Sequence, residues 1–226
     1  AAPAVCISEM QKKGRGRRGR QWVSPPGGNI YLSYKWQFNL GPSQLSALSL
    51  AVSVGVMRVL NRVGASDIGV KWPNDIVQKG RKLAGILLEM QGEANGPWTV
   101  VVGIGINVRI STEFAKQIDQ AWVDLEQLSG KITERSRLVA ALVVELTHLF
   151  QLYEKKQLAP FLEEWLKSDQ LKSKPVRIQM PQECYTGIAD GIDSHGNLIV
   201  DDDGVKRSFS GGEVSVRAYN NDVSLA

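Results

Sequence analysis

Alternation of apolar and polar positions marks the first part of the chain as strand-rich. Val5 to Met10 and Asn29 to Phe38 read as strands, joined by a glycine-rich segment and the turn Ser24-Pro25-Pro26-Gly27-Gly28. The period then changes. Leu45, Leu48, Val52, Val56, Val59, Leu60 and Val63 recur at steps of three and four, which predicts one helix. Gly41-Pro42-Ser43 opens it, proline being at home in a first turn, and Gly64 stops it. Strand patterns return at Ile68–Trp72, at Ile76–Gln78 and at Lys82–Met90, the last two forming a hairpin across Lys79-Gly80. Trp98–Val108 is an almost unbroken apolar run and predicts a central strand buried on both faces.

Beyond it, Thr112–Leu128 is polar, with Trp122 and Leu125 as anchors. Ser136–Tyr153 carries Leu138, Leu142, Leu146, Leu149 and Tyr153 on one helical face, and Leu158–Leu166 predicts a further helix. After Lys167 the pattern shortens. Lys174–Met180, Cys184–Gly191, Asn197–Asp201, Val205–Phe209 and Glu213–Arg217 read as short strands. They are parted by turns at Pro181-Gln182, Ser194-His195-Gly196 and Asp203-Gly204. The expectation is an α+β chain: a mixed β-sheet with helices over 1–169, a small β-barrel over 170–219, and a frayed tail over 220–226.

Charge changes this picture at one place. The 226 residues hold 27 basic and 23 acidic side chains, yet six of the positive charges lie between Lys12 and Arg20, interleaved with Gly14, Gly16 and Gly19. That segment has no apolar side chain to bury. It must stay solvated or wrap an anion, and arginine forks match carboxylates and phosphates. A basic Gly/Arg run is also the usual make of a nucleic-acid tether. Such a binder would spread charge over a face and set aromatic side chains beside it. Here the remaining charge is balanced and only Trp22 is adjacent. The two cysteines, Cys6 and Cys184, fit no disulfide framework or metal-ligand pattern, and a reducing cytoplasm is the expected setting. Trp36–Met57 lacks charge but is interrupted by Gly41-Pro42, glutamines and serines, too polar for a membrane span.

Further stretches carry candidate chemistry. In Lys71-Trp72-Pro73-Asn74-Asp75, proline ends a strand and leaves an amide and a carboxylate on a turn. They could hold a metal ion or nucleotide hydroxyls, or be ordinary turn residues. Lys82 opens an apolar strand, as an anion-binding ammonium or as a snorkelling strand-start lysine, and Gly85 leaves room for a flat ligand. Gly103-Ile104-Gly105-Ile106-Asn107 lacks a third glycine at dinucleotide-binding spacing. Two glycines inside a strand weaken it unless something approaches the backbone, and Asn107 could offer its amide to that ligand.

In this order, Gly14–Gly19, Lys71–Asp75, Lys82-Leu83-Ala84-Gly85-Ile86, Gly103–Asn107 and Gly211-Gly212-Glu213 resemble biotin–protein ligase, the bacterial biotin–[acetyl-CoA-carboxylase] ligase. The resemblance runs from about Ala4 to Arg217. It implies a catalytic domain like that of class II aminoacyl-tRNA synthetases, followed by an SH3-like barrel. It implies ATP and Mg²⁺ as cofactors, biotin as substrate, and the biotin carboxyl carrier protein of acetyl-CoA carboxylase as partner. A homodimer is possible, and no membrane is involved. Gln11, Gly14, Arg15, Gly16, Arg17, Lys82 and Gly85 then match biotin-contacting positions. Arg17, Arg18, Trp22, Asn74, Asp75, Asn107, Trp122 and Arg217 match positions around ATP or the adenylate. Arg17 and Lys82 are the expected catalytic residues, with Asp75 the aid to Mg²⁺. The family also carries a Ser-Thr-Asn segment upstream of the loop and, in its regulators, a DNA-binding domain. Neither motif is in this sequence, so we expect the catalytic region to be cut short at its N-terminal edge and the chain alone not to bind DNA. A ligase fold that binds without catalysing is the remaining alternative.

Overall fold

A computed structural model describes residues 2–93, 96–180, 182–212 and 214–218. A six-stranded sheet forms the centre, built from β1 (Ala4–Ser8), β2 (Ile30–Phe38), β3 (Ile68–Lys71), β4 (Asp75–Gln78), β5 (Arg81–Gln91) and β6 (Trp98–Ile106). Its order is β1-β2-β6-β5-β4-β3. Every pairing is antiparallel. Among the described residues, parallel pairing is confined to the isolated bridges Val70↔Asp169 and Lys82↔Trp122. The expected α+β make therefore holds, with a sheet more uniform than mixed.

The period of two decides what each face does. Along β6, Val100, Val102, Ile104 and Ile106 are buried, while Val101, Gly103 and Gly105 alternate with them on a half-open face. The run reads as doubly buried in the sequence only because two positions of its second face are glycine. The buried face packs on α2 (Leu48–Arg62) and α5 (Arg135–Lys156), and α6 (Ala159–Ser168) closes over α2 and β3. Tyr34, Phe38, Phe150 and Tyr153 pack edge to face where α5 crosses β2. Tyr153 gives its hydroxyl to Gln44 O at 2.8 Å, and burial pushes its pKa upward.

The single helix expected from Gly41 is two. The short α1 (Pro42–Leu45) ends at Ser46-Ala47 before α2 begins. Val63, the last position of the apolar stripe, caps α2 and is 37% exposed. Within Pro42–Arg62 an 18-residue window has a mean hydropathy of 1.4, apolar enough for a membrane span, so polarity does not exclude it from that class. What sets it apart is that 72% of the apolar window is buried inside the protein. Thr112–Leu128 forms α3 (Thr112–Ala115) and the start of α4 (Leu125–Ser129), the latter capped by Asp124 Oδ1 on Gln127 N at 2.9 Å.

The C-terminal strands β7 (Pro175–Gln179), β8 (Cys184–Ile192), β9 (Leu198–Asp202), β10 (Val205–Phe209) and β11 (Ser215–Ala218) form a five-stranded antiparallel sheet in the order β10-β9-β8-β7-β11. This is the small SH3-like element expected after α6. Pro181, Glu213 and the tail from Tyr219 lie outside the described residues. Backbone ties the linker to the large sheet, and side chains, the Trp72 indole among them, tie in the small sheet. Gln170 N donates to Val70 O at 2.9 Å. Trp72, 2% exposed, donates its Nε1–H to Gly196 O at 3.0 Å in the turn between β8 and β9.

Helices α2 and α5 approach closely at Gly55. A Cβ there would sit 2.7 Å from Leu149 Cδ1 and 3.5 Å from Glu145 Cγ on α5. Around it, Arg58 pairs with Glu164 at 2.5 Å and with Glu145 at 3.4 Å, tying α2 to α6 and α5. We predict that Gly55→Val, which overpacks this crossing, lowers stability by about 1–3 kcal/mol. Urea denaturation checks it, as a lower midpoint at unchanged slope.

Candidate active site

The open face of the large sheet, the basic loop and the edge of the small sheet enclose a cleft of about 880 Å³. Strand parity supplies its floor. Tyr31 and Ser33 of β2, Gly103 and Gly105 of β6, Gly85, Leu87 and Glu89 of β5, Asp75 and Val77 of β4, and Lys71 of β3 all line it. By the same parity Lys82, three residues before Gly85, belongs to the opposite face. A β-bulge changes that. Ile76 pairs with Ala84 but Val77 with Lys82, so Leu83 is the extra residue. The slip turns Lys82 into the cleft while Leu83 and Ala84 stay fully buried.

Lys82 Nζ lies 2.7 Å from Asp75 Oδ1, with both side chains about four-fifths buried (17% and 20% exposed). The backbone around Lys82 is pinned on its other edge. Its N–H donates to Ala121 O at 2.9 Å, and its carbonyl accepts from Val123 N at 3.0 Å. Asn107 is drawn into this frame. Its Nδ2 donates to Lys82 O at 3.1 Å and to Val123 O at 3.3 Å, so the amide nitrogen secures the lysine's strand rather than standing free. Trp122, bridged to Lys82, forms part of the wall.

The basic segment is a small closed hairpin. Arg15 bridges Gln21, Gly16 N donates to Arg20 O at 2.7 Å, and Trp22 N to Gly14 O at 2.9 Å. Arg18 (φ 57°) and Gly19 (φ 72°) make the left-handed turn. Gly14 lies beneath the hairpin, buried against Trp22 O and Ser24 Oγ where no Cβ fits, and does not line the cleft. Gln11 Oε1 accepts from Ser24 Oγ at 3.0 Å. Arg15 pairs with Glu89 at 2.9 Å near the surface. Arg17 points inward. It donates to Asn74 Oδ1 at 3.2 Å and to the carbonyl of Gly211 in the small sheet's loop. Burial pulls its pKa below the usual arginine value, against the opposing pull of Asp75. The run is thus built into the cleft wall and does not trail as a tether. Asn74 also donates Nδ2 to Ile86 O at 2.6 Å, and Arg217 of β11 stands at the mouth.

Trp22 lies on the floor. Gly85 and Gly105 face each other across β5 and β6, and Cβ atoms there would meet its ring at 2.9 and 2.5 Å. Lys82 Nζ stands 5.2 Å from the ring centroid, a cation–π contact. The indole N–H is buried without a partner. Lys71 was noted in the sequence only as the start of a motif. It sits in register with Asp75, and burial lowers its pKa, with Asp75 opposing and Lys82, Arg217 and Arg20 adding to the fall. The signal that could have found it is parity, since it shares a face with Asp75 once the turn between them is drawn.

Residues 1–107 match the biotin/lipoate A/B protein ligase family, and residues 174–217 the biotin protein ligase C-terminal domain. The bifunctional ligase/repressor BirA of Escherichia coli is 39% identical over 214 residues, covering 95% of this chain and 66% of that protein. The chain thus spans about two thirds of that relative. The biotin–[acetyl-CoA-carboxylase] ligase of Mycobacterium tuberculosis is 33% identical over 216 residues, covering 93% of this chain and 77% of that protein. In fold, the biotin protein ligase from Aquifex aeolicus in complex with biotin and ATP superimposes with a TM-score of 0.81 at 24% identity, over 95% of this chain and 89% of that one.

We predict that Gly105→Ala lifts the Trp22 ring from its bed, since the added Cβ would stand 2.5 Å from Cε2. The check is the emission of Trp22, taken as the difference between each protein and its Trp22→Phe partner. A red shift is expected in the alanine variant, and an unchanged spectrum would place the ring elsewhere.

Proposed function

This chain belongs to the biotin protein ligase family, and we propose that it activates biotin with ATP to biotinyl-5′-adenylate. It then transfers biotin to a lysine of the biotin carboxyl carrier protein of acetyl-CoA carboxylase. The observation that carries this reading is the bulge-turned Lys82, paired with Asp75 beside a glycine-floored cleft and faced by Arg17.

The first step brings a carboxylate against a polyphosphate. A biotin carboxylate oxygen attacks the α-phosphorus, the bond to the β-phosphate oxygen breaks, and pyrophosphate leaves with the electron pair. Repulsion between the anions and the charge growing at phosphorus are the barriers. Lys82 meets both from the cleft floor, with Asp75 fixing its direction. In the second step a carrier lysine amine attacks the acyl carbon, the bond to AMP breaks, and the amine loses a proton. The bed formed by Gly85 and Gly105 seats the flat ring of Trp22 on the cleft floor. Gln11, Arg15, Gly16 and Arg17 stand on the biotin side of this reading, with Gly14 shaping the loop behind them. Arg18, Trp22, Asn74, Asp75, Asn107, Trp122 and Arg217 stand on the nucleotide side.

Mg²⁺ suits this donor set. The ion uses one or two carboxylates and takes its other ligands from phosphates and water. Asp75 is a single buried carboxylate whose Oδ1 has no hydrogen-bond partner beyond its ion pair. When bound, the ion would neutralise phosphate charge. The reading also takes 1–169 as the catalytic region and 170–219 as a module that closes its nucleotide side. It places the protein in the cytoplasm, and a homodimer through sheet edges is compatible with it.

Two outcomes test the reading. With biotin, Mg²⁺ and α-labelled ATP, the protein is expected to form biotinyl-adenylate, and Lys82→Ala to lower that rate by about 10²–10³-fold. Absence of any adenylate would favour binding without catalysis. Arg17→Gly removes the ties to Asn74 and Gly211. It is expected to release adenylate into solution, and chromatography of the medium should find it free, with unrelated proteins biotinylated as a result.

A further inference from the structure

Of the cleft-lining cations with no role in the ligase reading, Lys13 and Arg20 are exposed and Lys71 is half-buried. Lys71 ends β3, in register with Asp75. Asp75 makes its salt bridge with Lys82 and not with Lys71. Asp75 is still the strongest charge acting on it and attracts it, while Lys82, Arg217 and Arg20 repel it. A half-buried ammonium that shares its one carboxylate with a second lysine and faces three cations has room for a further anion.

The positions give that anion a direction. Lys82 stands on the floor, where carboxylate and α-phosphate would meet. Arg217 is on the exposed part of β11 and Arg20 on the exposed part of the loop. Lys71 lines the same cleft from β3, with β4 between it and Lys82. Resting on the ligase reading above, we propose that Lys71 binds the β- and γ-phosphates and takes up the charge of the leaving pyrophosphate. As the α-phosphorus–oxygen bond breaks, the electron pair passes to the departing β-phosphate oxygen, and the fixed ammonium offsets it without transferring a proton. Lys71 then acts in the first step alone, because the second step expels AMP and involves no pyrophosphate.

That division makes the proposal testable. Three measurements would be made on the wild type, Lys71→Met and Lys71→Arg. They are biotin-dependent exchange of labelled pyrophosphate into ATP, transfer to carrier protein from chemically prepared biotinyl-adenylate, and calorimetric binding of inorganic pyrophosphate with Mg²⁺. For Lys71→Met the expected result is exchange lowered by about 10²–10³-fold, on the scale of losing one transition-state charge partner. Pyrophosphate binding should weaken at least tenfold, while transfer from the prepared adenylate stays within about twofold. Lys71→Arg should restore most of the exchange. Exchange and pyrophosphate binding that survive Lys71→Met would overturn the proposal. So would equal loss of both steps, which would make Lys71 a support of the fold. A wild type that exchanges no pyrophosphate would instead overturn the ligase reading itself.

Discussion

A strand sends alternate side chains to opposite faces, and the site depends on one break in that rule. Were the alternation unbroken through Leu83, Lys82 would share a face with Ala84 and point among the helices. An ammonium there would be a buried charge with no partner, the costliest kind of core residue. The bulge moves it beside Asp75 and sets it over the ring of Trp22. It also lets Leu83 and Ala84 complete the apolar layer against the helices. One inserted residue thus satisfies the core and arms the cleft. The backbone ties from Ala121, Val123 and Asn107 hold the slipped strand in that register.

The C-terminal sheet contributes by gripping the turn after β3. Trp72 reaches into it and bonds Gly196, while Gly211 lies against Pro73 and accepts from Arg17. The turn carrying Asn74 and Asp75 is therefore held from outside by the small sheet and from inside by Ile86. The basic loop is held at three points, by Arg15 on Glu89, by the Trp22 ring on the glycine bed and by Arg17, whose guanidinium spans both parts of the chain.

Much of this was legible in the sequence because it rests on period and punctuation. The helical stripe of α5, the hairpin at Lys79-Gly80 and the short C-terminal strands follow from them. The motif residues were found because charge and glycine are rare inside apolar strands. What escaped depends on pairing between distant segments. Register across β4 and β5 reveals the bulge, and sequence alternation cannot. The second face of β6 was misread because glycine leaves no polar mark where a face opens onto a cleft. Arg17 and Asn107 were expected to serve ligands directly, and their partners lie 57 and 16 or more positions away in sequence. No local pattern announces such bonds.

Trp22 draws these threads together. Its ring covers the Gly85–Gly105 bed, yet its N–H is buried without a partner. A buried, unsatisfied indole donor costs about 1–3 kcal/mol. Stacking under Lys82 and contact with the strand backbones offset part of that cost. The ring is thus held on the floor by shape and charge but not by a hydrogen bond, and a ligand that brings an acceptor to the bed improves the indole's position as well as its own. Two glycines in register keep the bed flat enough for an aromatic ring, and the chain supplies that ring from its own loop. The same loop carries Arg17, five residues earlier. Trp22 on the floor and the guanidinium at the wall are therefore joined through one short, hydrogen-bonded hairpin.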